Sequence, residues 1–105
     1  MQLSTVQHII NTLINQQKTS NLDDVYVRTQ AGKTHKIQSY SIDKDGDLIL
    51  KWMNASRDSI IVEDLIEMNP STNFVFIEGL FEGEVDYYLI DDIRIDNGML
   101  VVEHV

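Results

Sequence analysis

The chain of 105 residues contains no cysteine, one proline and five glycines. Without cysteine there is no disulfide framework and no thiolate metal site. No apolar run approaches the roughly 18 residues of a membrane span. The opening MQLSTVQHIINTLINQQ lacks the basic start and the unbroken apolar stretch of a secretion signal. These absences point to a cytoplasmic protein without a membrane partner. Cations are scarce where acids are dense. Residues 58–105 hold Arg94 alone against twelve Asp and Glu, whereas residues 1–57 hold seven Lys and Arg against five acids. Such a second half repels nucleic acid and attracts basic surfaces, although the same charge also serves solubility.

Apolar residues at 43% and charged residues at 24% match ordinary globular composition and indicate one domain over 1–105. Ser4 and Gln7 fit a capping box, and Val6, Ile9, Ile10, Leu13 and Ile14 follow at helical spacing. The pattern predicts a helix over 5–18, with Lys18 favouring its C-terminal dipole. Its other face, with Gln7, Asn11 and Asn15, is polar but almost uncharged, which suits either solvation or a contact.

From residue 24 the period changes to two. Asp24–Gln30, Thr34–Ile42 and Asp47–Met53 alternate, with Leu48, Leu50 and Trp52 on one side, expected to bury against Ile10, Leu13 and Ile14. Asn54–Asp58 reads as a polar loop. Val62, Leu65 and Ile66 oppose Glu63, Asp64 and Glu67, which predicts a short helix near 62–68, preceded by a few extended residues and ended by Asn69-Pro70. Asn73–Glu78, Glu84–Ile95 and Met99–His104 complete about six strands joined by glycine-containing turns. Asp-Gly and Asn-Gly tolerate the positive φ of tight hairpins. The expected fold is α+β: an N-terminal helix packed on an antiparallel meander.

Motifs that suggest chemistry fail on spacing. SIDKDGDLILKW resembles a calcium loop, but with Asp43 as position 1 the required Gly at position 6 is Leu48 and the required Glu at position 12 is Asn54. Asp43–Asp47 is therefore expected to be a hairpin turn without a bound cation. Ala31-Gly32-Lys33-Thr34 resembles the end of a phosphate-binding loop, but the position of its first Gly is Val27, and strands flank it on both sides. His8, His35 and His104 lack metal-ligand spacing, and no nucleophile motif is present. The sequence supplies no catalytic, cofactor-binding or metal-binding residue set.

The most distinctive stretch is EGLFEGEVDYYLIDDIRID. Read as one strand, Val85, Tyr87, Leu89, Ile93 and Ile95 share a face. Asp91 then falls on that apolar face, so it is either a bulge that resets the phase or a buried, partnered acid. Glu82, Glu84, Asp86, Tyr88, Asp91 and Asp92 are the candidate partner-binding residues: carboxylates for encounter and a tyrosine for buried area. The corresponding expectation is a non-enzymatic inhibitor that occludes the basic cleft of a nucleic-acid-acting protein such as a nuclease, as an immunity protein or a DNA mimic does. The alternative is a homo-oligomeric structural or assembly subunit, for example of phage origin.

Overall fold

A computed structural model describes residues 1–17, 22–53, 59–81 and 83–105. Lys18, residues 54–58, where a polar loop is expected, and Glu82 lie outside the described residues. Along the chain run α1 (Leu3–Gln17), β1 (Val25–Arg28), β2 (Thr34–Lys36), β3 (Ser39–Ile42), β4 (Leu48–Lys51), α2 (Val62–Glu67), β5 (Val75–Phe81), β6 (Glu84–Asp96) and β7 (Met99–His104).

The α+β class holds, but the sheet is mixed rather than an antiparallel meander. Its order is β2-β1-β7-β6-β5-β4-β3. β4 and β5 run parallel because α2 lies in the connection between them, and β1 runs parallel to β7, the last strand. A parallel neighbour needs such a crossover, which a hairpin cannot provide. Among the described residues the strand count is seven because 34–42 is bent into two. Ile37 N–H donates to Val25 O at 2.8 Å, then Gln38 N–H donates to Lys51 O at 2.8 Å. The segment thus passes from β1 to β4, and the two sheet edges are successive halves of one bent stretch of chain. The sheet curls, and neither edge is a long open template for pairing with another chain.

The second bend is in β6. Residues 84–89 pair with β5, while residues 90–96 pair with β7. Ile90 opposes His104 and Asp92 opposes Glu103, so Asp91 is the extra residue of a β-bulge. Of the two outcomes open for Asp91, the bulge is the one found, and its side chain is exposed. Where β6 changes partner, the N-terminus fills the gap. The Met1 amine donates to Ile90 O at 3.0 Å, and Val75 N–H donates to Met1 O at 2.9 Å.

This docking also explains why α1 begins at Leu3, earlier than the Ser4 capping box predicts. Leu3 N–H donates to Asn73 O and Ser4 N–H to Ser71 O, so the orphan donors of the first turn are met by the strand approach. Leu3, Val6 and Ile10 join Val25, Leu50, Leu65, Ile77, Ile93 and Leu100 in one hydrophobic core. Leu13 and Ile14 pack only partly against it. The polar face of α1 is partly internal. Gln7 is buried, and its Nε2 donates to Leu65 O, Ile66 O and Met68 O, the carbonyls at the end of α2. Asn11 and Asn15 are exposed. At the other end of α2, Asp64 accepts the Ile61 N–H at 3.0 Å.

Candidate functional site

Register and burial divide the sheet into an inner face, turned toward the core, and an outer face. Inner positions include Val27, Leu50, Ile77, Ile90 and Val102. The bulge swaps the phase of β6. Before it, Glu84, Asp86, Tyr88 and Ile90 point inward and Val85, Tyr87 and Leu89 outward. After it, Ile93 and Ile95 point inward and Asp92, Arg94 and Asp96 outward. The candidate residues therefore do not share one face. Glu84, Asp86 and Tyr88 extend the inner face, Asp91 is on the bulge, and Asp92 is on the outer face held by Arg94 at 2.6 Å. Val85, Tyr87 and Leu89, expected in the core, are exposed instead.

The outer face has two unlike halves. Over β1, β7 and the second half of β6 it is a charge lattice. Arg28 meets Asp96 at 2.8 Å, and Arg94 meets Asp92 at 2.6 Å and Glu103 at 3.0 Å. The Arg94 guanidinium is driven above its already high value, first by the Asp92 hydrogen bond and then by the Glu103 charge. These side chains flank Val101, an outward valine that is fully buried. Over β5 and the first half of β6 the outer face is apolar and uncovered. Phe76 opposes Leu89 and Leu80 opposes Val85, while Tyr87 lies opposite Glu78. Val85 and Tyr87 are each 53% exposed, and Phe74, Leu80 and Leu89 are also exposed. Contiguous exposed apolar surface of this kind marks interaction sites in soluble proteins.

Beside this stripe lies a groove of about 470 Å³ whose lining includes Asp43, Asp45, Asp47, Lys51, Phe76, Glu78 and Tyr87. Glu78 is only 7% exposed, and Lys51 Nζ lies 3.9 Å from its carboxylate. Carboxylate oxygens of the three aspartates lie within 4.8 Å of one another. Asp43 and Asp47 each already use one carboxylate oxygen on the backbone. Asp43 Oδ1 accepts the N–H groups of Asp45 and Asp47, and Asp47 Oδ1 accepts Phe74 N–H. Asp43 N–H donates to Asp47 O, and Gly46 turns at φ 85°, so the segment is the hairpin turn its spacing predicts. The Asn97-Gly98 turn likewise has both residues at positive φ.

Sequence reading missed a third feature. Beyond the core, the inner face continues into a cleft of about 430 Å³ lined by Lys33, His35, Trp52, Gly79, Tyr88 and His104, among others. Trp52, expected in the core, is only partly buried, and its ring stacks on His35 at 4.1 Å. Tyr88 stacks on His104 at 4.7 Å. The inward alternation of Tyr88 with Ile90 was the available signal, and the unknown phase at Asp91 concealed it.

No helix among the described residues is long and apolar enough to cross a membrane. The molecule is an α+β protein built on a curled mixed sheet, with one half of its outer face ion-paired and the other apolar. Comparison with protein-family models, with curated proteins and with solved structures found no match.

Proposed function

We propose that the chain is a non-enzymatic, cytoplasmic protein-binding module whose partner presents an apolar surface with a basic rim. The observation that carries this reading is the contrast between the two outer half-faces. Arg28 and Arg94 pair with the acids of one half, whereas the stripe Phe74, Val85, Tyr87 and Leu89 lies uncovered beside the carboxylates of Asp43, Asp45 and Asp47. Apolar area gives such a contact affinity and the carboxylates give it orientation and on-rate. A nucleic-acid-acting protein offers the required basic surface, so the role is that of an inhibitor of immunity-protein or DNA-mimic type.

A second reading is self-association, favoured by the apolar stripe alone. Face-to-face copies would bring the same aspartates near one another, which like-charge repulsion opposes. The test is affinity capture from source cells at low salt with the parent and with Tyr87→Lys/Leu89→Lys. A basic protein held by the parent, released by salt and lost from the variant is expected. Equal capture by the variant rejects this face. A parent dimer in sedimentation that the variant abolishes supports the second reading.

A further inference from the structure

We propose that the inner cleft binds a small planar aromatic anion. The cleft occupies inner positions that the strands reach after leaving the core: Leu50 is followed by Trp52, Ile77 by Gly79, and Val102 by His104. A sheet end that needed only a hydrophobic plug would carry aliphatic side chains there. It carries Trp52, Tyr88 and two histidines, stacked as two pairs at 4.1 and 4.7 Å, and the space they line stays open.

Three observations fix the ligand class. The volume of about 430 Å³ falls within the roughly 300–1,000 Å³ of small-molecule sites. The two stacked pairs give the walls flat aromatic surface, which suits a planar ring. The described lining contains Lys33, His35 and His104 and no carboxylate, although the chain carries a net charge of -9. Of the nearby inward acids, Asp86 lies opposite Gly79 but accepts the N–H of Tyr87 through Oδ1, and Glu84 is further along β6. Neither lines the cleft. A long polyanion would meet the repulsion of the whole molecule, whereas a small anion feels chiefly its immediate lining.

A nucleoside monophosphate and an aromatic carboxylate share this chemistry, and the test separates them. The chain has one tryptophan, so the indole N–H of Trp52 gives a single assignable peak in a nitrogen–proton spectrum. The full chain is titrated with AMP against adenosine, and with 2-naphthoate against 2-naphthalenemethanol. A saturable shift of the Trp52 peak by one anion, with its neutral analogue at least about tenfold weaker, supports the proposal and names the source. The exposed substitution Lys33→Ala should weaken that anion about tenfold, the scale of one charge-assisted hydrogen bond. Gly79→Val should block binding, with spectral changes confined to the cleft around Tyr88 and His104. If neither anion shifts the peak at millimolar concentration, or neutral analogues bind equally well, the proposal is overturned. Unchanged affinity in both variants likewise overturns it.

Discussion

The Tyr88 ring lies over Gly79 so closely that a Cβ on residue 79 would meet Tyr88 Cε2 at 3.1 Å. Gly79 does not need positive φ, so its glycine is explained by space rather than by backbone conformation. Alanine there gains about 0.5–1 kcal/mol in strand propensity and loses a similar amount in moving a partly exposed ring. Gly79→Ala should therefore change stability by less than about 1 kcal/mol while disturbing the Tyr88–His104 stack. Urea unfolding and the His104 ring proton shifts report the two effects. A large loss of stability would mean that Tyr88 cannot move.

The bulge separates the importance of a residue from that of its side chain. Asp91 is exposed, so Asp91→Ala should stay within about 0.5 kcal/mol of the parent. Deleting residue 91 leaves a regular alternation but removes the bend that lets β6 serve two partners. Deletion should cost several-fold more than substitution and should loosen the N-terminus from Ile90. Thermal unfolding and amide exchange at Val75 check this. Equal stability of the two variants would show that the curl does not depend on the bulge.

What the sequence disclosed followed local physics. Helical spacing located α1 and α2, and the dipeptides Asp45-Gly46 and Asn97-Gly98 located two hairpin turns. What it concealed depended on distant partners. Alternation over 34–42 is uninterrupted, and only the transfer from Val25 to Lys51 divides it. The parallel pairing of β1 with β7 joins the ends of the chain and leaves no local signature. The face of β6 depended on one residue, Asp91, and an error there exchanges every side chain before it between core and solvent. Read as one uninterrupted strand, residues 84–95 place Glu84, Asp86 and Asp92 on one face with Asp91 opposite, and the structure separates Asp92 from Glu84 and Asp86.

Gln7 gives a sharper stability test than its place on a polar helix face suggests. Its buried amide serves the carbonyls at the end of α2, which has no basic residue in its last turn. Gln7→Ala should cost about 1–3 kcal/mol, because buried acceptors lose their donor. Gln7→Glu should cost more, since a carboxylate would face carbonyl oxygens. Guanidinium unfolding ranks them, and alanine costing the same as an exposed Asn15→Ala would refute the capping role.

The turn at Asp43 distinguishes a structural acid from a ligand. Asparagine keeps the oxygen that accepts two backbone N–H groups, so Asp43→Asn should be nearly neutral. Asp43→Ala should cost about 1–2 kcal/mol. Millimolar calcium should leave the parent's Tm unchanged. A calcium-dependent rise that asparagine removes would make the cluster a cation site.

Docking on the outer face divides the work between charges and anchor in a way that kinetics can resolve. Asp45 is exposed at the tip of the turn, and its side chain is not among the acceptors that hold that turn. Asp45→Lys should therefore slow association with the captured partner and flatten its salt dependence, because exposed charges act on encounter within about 8 Å at physiological ionic strength. Tyr87→Ala removes apolar area at the centre of the stripe and should chiefly speed dissociation, by about 30-fold or more if Tyr87 is a hot spot. Glu84→Lys/Asp86→Lys reverses two inward charges and should change both rates less than either outer-face variant. Surface-plasmon kinetics on the three variants, each first shown to unfold like the parent, distinguishes the faces. If the inward pair dominates and Tyr87→Ala binds like the parent, the partner sits on the inner face.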